Sequence, residues 1–206
     1  MRIVAFGDSI TEGVIGIQPE QNWLRLLGRK LGPGYELFNA GVGGNSAREA
    51  MRRYESDVLS RNPDGIIIEF GGNNHSVEQP ERVVEDDEFL RLLNEFREKL
   101  PRGCRVIMTT FPPVIDEFHV HAPLCPGGKL DCRLDSQRQI VRDFAAANHW
   151  PLLDLYRLMW NDRYRLILPD GVHMNPEGHA FFAERAYQLM KQEGWKIGRA
   201  SCRERV

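Results

Sequence analysis

The chain has 206 residues, of which 42% are hydrophobic, and this is enough to bury the core of one domain. Its formal net charge is −2, with acidic and basic residues interspersed, which argues against a surface for nucleic acids or anionic membranes. A run of about 18 apolar residues, as a membrane span requires, is missing from the sequence.

The first predicted element is a buried strand, because residues 3–6 are apolar without a break. Gly7-Asp8-Ser9 follows and predicts a sharp turn at the carboxyl end of that strand. In an open α/β sheet this edge is where ligands bind, so the Ser9 hydroxyl is placed to act as a nucleophile. The alternative is that Asp8 and Ser9 merely cap the segment that follows.

Strands and helices alternate along the rest of the chain. Short apolar runs predict the strands, and apolar residues three or four apart predict the helices. In chain order, the helix at 22–31 precedes a strand at 35–38, a helix opened by a capping box at 46–49, a strand at 65–70, a helix at 86–100, a strand at 105–110, a helix at 134–148, a strand at 151–155 and a helix starting at 175–177. This alternation predicts a parallel five-stranded sheet covered by helices on both faces, a three-layer α/β/α sandwich.

Two residues near the end of the chain supply what a serine nucleophile lacks. A serine hydroxyl needs an imidazole to accept its proton and a carboxylate to orient that imidazole. Asp170 and His173 provide both groups on one turn. Two further blocks follow predicted strands: the glycine-rich segment 39–44 and the segment Gly71-Gly72-Asn73.

These four blocks, in this order, resemble the GDSL or SGNH hydrolase family of esterases and lipases, of the lysophospholipase/thioesterase I type. The resemblance covers residues 2–190 and implies a flavodoxin-like strand order 2-1-3-4-5, in which the loops after the first three strands share one rim. It implies that Ser9 is the nucleophile, His173 the general base and acid, and Asp170 the residue that orients His173.

The resemblance also implies an oxyanion hole, formed by the backbone N–H groups of Ser9 and Gly44 and the side-chain amide of Asn73. A tight turn at the glycine loop, or an ordinary turn asparagine, are the alternatives. No metal or cofactor is implied. The family usually has an aspartate where this chain has Asn74, so we expect a changed contact beside the triad.

The substrate is inferred from weaker signals. The loop at 111–131 is rich in Pro and Gly and carries apolar residues that could line and gate an acyl or aryl pocket, or simply cover the sheet edge. The candidate substrate-binding residues are Asp8, His75, Phe111, Pro112 and Val114. We therefore expect a serine esterase that hydrolyses small carboxylic esters through an acyl-enzyme. Acyltransferase or carbohydrate acetylesterase activity at the same site, or a catalytically silent binding module, are the alternatives.

Other reactive residue types have simpler explanations. The spacing of His119 and His121 matches no zinc pattern closely. Cys125 and Cys132 are expected to be reduced thiols, and a small disulfide loop between them is the alternative. Glu69 lies inside an apolar strand, where a carboxyl group needs a partner, so we expect it to support the site without touching substrate.

The expected partner is a small-molecule ester, with no nucleic acid and no membrane span. The first predicted strand follows Met1 directly, so we expect a cytoplasmic location, although a removed leader would leave no trace here. Residues 197–206 resemble the translation of a common sequencing adapter. We therefore expect one hydrolase domain over residues 1–196, followed by a non-native tail.

Overall fold

One five-stranded parallel sheet forms the centre of the molecule. The structure is a computed structural model that describes residues 1–76 and 79–195, so the predicted tail lies outside the described residues. The strands are β1 (Arg2–Gly7), β2 (Glu36–Gly41), β3 (Gly65–Glu69), β4 (Arg105–Thr110) and β5 (Leu152–Asp154). Their order is β2-β1-β3-β4-β5, and all neighbours pair in parallel. The predicted fold class and strand order are both confirmed.

Eight α-helices connect and cover the strands in the described part of the chain. They are α1 (Ser9–Glu12), α2 (Trp23–Leu31), α3 (Ala47–Asp57), α4 (Asp86–Lys99), α5 (Asp135–Ala147), α6 (Leu155–Met159), α7 (Arg163–Leu166) and α8 (Pro176–Gln192). The sequence analysis missed α1, α6 and α7, because helices of four or five residues are too short to show a helical period. Within residues 1–76 and 79–195, the structure contains no helix with the length and apolarity that crossing a bilayer requires.

Alternate residues of the strands point to two separate cores. One core packs Ile3, Ile67 and Ile107 against α2 and α8, where Trp23 and Phe182 stack at a centroid distance of 4.0 Å. The other core packs the side chains on the opposite face of the sheet against α3, α4 and α5. The apolar runs in β1 and β3 arise because both strands are covered on both faces.

Local capping decides where the predicted helices begin. Ser46 accepts the backbone N–H of Glu49 while the Glu49 carboxylate accepts that of Ser46, which confirms the predicted capping box of α3. Asn175 caps α8 and Pro176 occupies its first position, again as predicted.

Register brings three loops to one edge. Gly7 of β1 pairs with Gly41 of β2 on one side and with Glu69 of β3 on the other. The chain therefore leaves β1, β2 and β3 at the same level, and the loops that follow share the carboxyl rim of the sheet.

Candidate active site

Ser9 begins a one-turn helix directly after β1. The Asp8 carboxylate accepts the N–H of Ile10 at 2.9 Å and caps this helix. The turn ends at Gly13, which adopts a left-handed conformation with φ of 59° and donates its N–H to the Ser9 carbonyl. Gly7 allows the helix to approach the sheet so closely, because a Cβ there would collide with the Thr11 side chain.

The segment from Asp170 to His173 forms a tight turn whose side chains reach Ser9. The Asp170 Oδ2 atom lies 2.8 Å from His173 Nδ1, and His173 Nε2 lies 3.0 Å from Ser9 Oγ. Asp170 Oδ1 accepts the backbone N–H groups of Val172 and His173 at 2.9 and 3.0 Å. Partial burial acts to raise the pKa of Asp170, but these hydrogen bonds and the His173 ring lower it below its usual value. Asp170 is therefore an anion that accepts a hydrogen bond from His173 Nδ1, which leaves Nε2 as an acceptor toward Ser9.

The loop after β2 carries Gly44 beside the serine turn. Glu12 Oε2 accepts the N–H of Gly43 at 2.9 Å, and Arg82 donates to the Gly44 carbonyl and to Glu49. Gly44 has a φ of 74°, a conformation that favours glycine. The glycine-rich segment is therefore a loop held in one conformation from both sides.

The loop after β3 brings Asn73 to the same place. Its Nδ2 donates to Asp8 Oδ2 at 2.8 Å, with a longer contact of 3.4 Å to the Asn45 carbonyl. Asp8 is fully buried and contacts Asn73 at the wall of the site. The structure thus brings Ser9, Gly44 and Asn73 together at one rim.

A small enclosed cavity opens beside Ser9. It has a volume of about 80 Å³, and its lining includes Phe111, Pro112 and Val114 together with Ser9 and Asp8. A neighbouring cavity of about 230 Å³ is lined by Gly44, Asn73 and three histidines, His75, His119 and His121. A third cavity of about 580 Å³ lies between α2 and β2, away from Ser9. Four of the five candidate substrate-binding residues therefore line the cavity beside Ser9, and His75 lies in the adjoining one.

The glycine-rich and serine blocks form part of a longer match. Residues 5–181 match the model of the GDSL-like Lipase/Acylhydrolase family. The chain belongs to this family. As a GDSL-like acylhydrolase, the protein is a carboxylic ester hydrolase, and the family implies a catalytic triad and an oxyanion hole.

Three similar proteins extend the comparison. The chain is 28% identical over 213 residues to the isoamyl acetate-hydrolyzing esterase 1 homolog of Rattus norvegicus, covering 93% of this chain and 82% of the relative. A lipase/acylhydrolase of Enterococcus faecalis shares the fold with a TM-score of 0.78 and 24% identity, covering 93% of this chain and 96% of that one. The acetyl xylan esterase AlAXEase has a TM-score of 0.71 and 27% identity, covering 91% and 98%.

At Asn74, where the resemblance leads us to expect an aspartate, the structure shows what the asparagine contacts. Asn74 is fully buried. Its Oδ1 accepts the N–H of Ala47 at 2.9 Å, at the start of α3, and its Nδ2 donates to Gln137 Oε1 at 2.6 Å. Gln137 in turn donates to the Val84 carbonyl at 2.8 Å. An amide is required here as a donor to Gln137, whereas an aspartate would place two acceptors together.

The long loop after β4 is anchored and forms a wall of the site. Arg138 of α5 is fully buried, and its guanidinium pairs with Asp131 at 2.6 Å and lies 4.4 Å from the Phe111 ring centroid. Asp131 also accepts the N–H of Val114 at 2.7 Å. These contacts tie both ends of the wall to α5.

The other reactive side chains in residues 1–76 and 79–195 are not arranged as metal ligands. The described residues hold no group of three or more His, Cys, Asp or Glu that could bind a metal ion. Among the cysteines that the structure describes, Cys125 and Cys132 are free thiols, as expected. Burial lowers the pKa of His119 and of His75, so both rings are neutral at neutral pH.

Three charged residues that support the site were not identified from the sequence. Arg53 of α3 donates to the carbonyls of Gly7 and Ala40 and to Asn45, and Arg82 and Glu12 hold the glycine loop. Glu12 lies one helical turn after Ser9, so its proximity was available from helical spacing. The two arginines reach the site from distant elements, so no local pattern in the sequence indicates their role.

Proposed function

We propose that this GDSL hydrolase cleaves small carboxylic esters through an acyl-enzyme on Ser9. The observation that carries the proposal is the continuous chain of contacts from Asp170 through His173 to Ser9 Oγ, at 2.8 and 3.0 Å. This is the arrangement that makes a serine hydroxyl nucleophilic at neutral pH.

In the first step the Ser9 oxygen bonds to the ester carbonyl carbon while His173 Nε2 takes the hydroxyl proton. The negative charge moves to the carbonyl oxygen, where the N–H groups of Ser9, Gly44 and Asn73 stabilise it. The bond to the alcohol oxygen then breaks, and His173 returns the proton to that oxygen. Water repeats the sequence on the acyl-enzyme and releases the carboxylic acid. Asp170 holds the His173 ring in position and stabilises its protonated form.

The cavity beside Ser9 supports a short acyl group. Its volume is about 80 Å³, and its apolar lining includes Phe111, Val114 and Leu134. Because this cavity is small and apolar, we expect it to take short acyl groups better than long ones. Two similar proteins have names that specify acetate or acetyl esters as substrates, the rat esterase homolog and AlAXEase. These names support the acetyl group as the acyl group that is transferred to Ser9.

The test is hydrolysis of p-nitrophenyl esters from acetate to palmitate by the parent and by Ser9→Ala, at matched folded concentration. We expect the highest kcat/KM at two to four carbons and no turnover above background in the variant. Ser60→Ala is the matched control, because Ser60 is exposed and precedes β3, at the opposite end of the strand from the rim. Full activity in Ser9→Ala would refute the nucleophile assignment, and a folded parent without activity on any ester would favour a binding module.

Product analysis in the presence of an added alcohol separates hydrolysis from acyl transfer. We expect free carboxylic acid as the main product. A new ester as the main product would mean that the alcohol intercepts the acyl-enzyme faster than water does.

A further inference from the structure

Two carboxyl groups are buried together behind the proposed oxyanion hole. Asp8 follows β1 and Glu69 ends β3, and register places them side by side because Gly7 pairs with Glu69. Each side chain is only 1% exposed. Two neighbouring buried carboxylates cannot both carry a charge without a large penalty, so the pair is expected to share one proton.

The hydrogen bonds indicate which residue holds that proton. Both oxygens of Asp8 accept an N–H, from Ile10 at 2.9 Å and from Asn73 at 2.8 Å. Glu69 Oε2 accepts the Thr11 hydroxyl at 3.3 Å, whereas Glu69 Oε1 is buried and receives no donor from the described residues. A buried carboxyl oxygen without a donor is satisfied when it carries its own proton and donates it. The acceptor for this proton is the neighbouring Asp8 carboxylate, which hydrogen-bonds with the Glu69 side chain.

The electrostatic environment agrees with this assignment. Burial raises the pKa of Glu69 well above its ordinary value and the negative charge of Asp8 raises it further, which outweighs the hydrogen bonds from the Thr11 hydroxyl and the Asp8 backbone. Burial also raises the pKa of Asp8, but the Ile10 N–H and the hydrogen bonds from Glu69 and Asn73 oppose that rise. Glu69 is therefore the neutral member of the pair and Asp8 the anion.

We propose that Glu69 is a positioning residue that works as a neutral acid: it donates a hydrogen bond to Asp8 and keeps Asp8 the anion that orients the Asn73 amide. This inference rests on the function proposed above, because it assigns a purpose to the geometry of Asn73.

The consequence for the site follows from the two hydrogens of the Asn73 amide. Asp8 Oδ2 accepts one of them, and the contact of Nδ2 with the Asn45 carbonyl, at 3.4 Å, is long for a hydrogen bond. The second hydrogen is held only by this long contact with the Asn45 carbonyl, so it is the one that would donate to the oxyanion. The proton on Glu69 also limits the pair to one negative charge, which reduces its repulsion of the oxyanion.

Two substitutions of Glu69 test whether this residue acts as a neutral hydrogen-bond donor. They distinguish this role from that of a charged residue and from that of a residue that only fills space. Glu69→Gln keeps a donor for Asp8 and an acceptor for Thr11 without a titratable group, whereas Glu69→Leu removes the hydrogen bond. Misplacing a catalytic group by about 1 Å can cost about 10²-fold in rate, so we expect Glu69→Leu to lower kcat for p-nitrophenyl acetate about 10- to 100-fold. We expect KM to stay near the parent value, and Glu69→Gln to restore most of the lost turnover.

Thr109→Val is the matched control. Thr109 pairs with Glu69 in register, is fully buried, and its hydroxyl donates to the Thr110 carbonyl. This variant removes a buried polar group beside Glu69 without changing the acid pair, so its kcat is expected to equal that of the parent.

Infrared difference spectroscopy provides a readout that does not depend on activity. We expect the folded parent at neutral pH to show the carbonyl band of a protonated carboxylic acid, and Glu69→Gln to lack it. A parent without this band, or a Glu69→Gln variant as slow as Glu69→Leu, would overturn the proposal. If the parent shows the band but hydrolyses no ester, the acid pair stands and the proposed function fails. If Glu69→Leu does not fold, the infrared band and the kcat of Glu69→Gln relative to the parent still test the proposal.

Discussion

His179 is expected to make the stability of the protein depend on pH. It lies on α8, only 2% exposed, and its Nδ1 accepts the N–H of Trp23 at 3.3 Å, at the start of α2. Burial lowers the pKa of His179 to about 4. The folded protein therefore uses a neutral imidazole as a helix cap.

The sign and size of the effect follow from the two pKa values. An unfolded histidine titrates near pH 6.5, so below that pH the unfolded chain binds a proton that folded His179 accepts only near pH 4. Stability is therefore lost as pH falls from 6.5 toward 4. Each unit of pKa difference corresponds to about 1.4 kcal/mol, so the loss at pH 5 is about 2 kcal/mol and the full loss about 3 kcal/mol.

Urea unfolding followed by circular dichroism, at pH 7 and at pH 5, measures this loss. In the parent, the free energy of unfolding is expected to fall between the two pH values, and in His179→Asn this fall is expected to be smaller by about 2 kcal/mol. His149→Asn is the control, since His149 is exposed and its backbone φ of 54° is one that asparagine tolerates. Equal pH dependence in the parent and in His179→Asn would refute the argument, whatever the absolute stability of the variant.

Three further substitutions test the site and its support. Asn73→Ala is expected to lower kcat for p-nitrophenyl acetate about 10²- to 10³-fold with little change in KM, and a change confined to KM would argue for a binding role instead. Asp131→Ala leaves the buried Arg138 without its 2.6 Å partner and is expected to cost about 3 kcal/mol of unfolding free energy, measured by urea titration. Gly41→Ala would drive a Cβ into the backbone of Glu12, so we expect a loss of at least about 1–3 kcal/mol; an unchanged Tm would contradict this.

The local pattern of the sequence was enough to predict the layers of the fold. Apolar runs marked each strand, and residues 105–110 were predicted with the bounds that β4 has. The capping box at Ser46 and the asparagine–proline start of α8 were also readable, because a helix cap involves only residues three or four apart. The strand order came from the family resemblance, since periodicity does not reveal which strands pair.

The residue blocks likewise predicted which side chains meet at the rim. Ser9, Asp170 and His173 were selected by residue type and motif, and the structure brings them within hydrogen-bond distance. The size of the cavity beside Ser9 could not be predicted from the sequence, because it depends on how the loop after β4 folds back over the site. Arg138 anchors that loop from α5, and nothing in the local sequence indicates where a buried arginine will point.

The sequence by itself therefore indicated the strands, the starts of the longer helices and the candidate residues of the triad, all of which depend on short stretches of chain. Only the tertiary structure decided the partners of the buried polar groups. Glu69 lies against Asp8 because β1 and β3 pair in that register, and Asn74 reaches α3 and Gln137 across the end of the sheet. A buried polar group must find its hydrogen bonds wherever the fold brings a donor or acceptor, and that partner is usually far away in sequence.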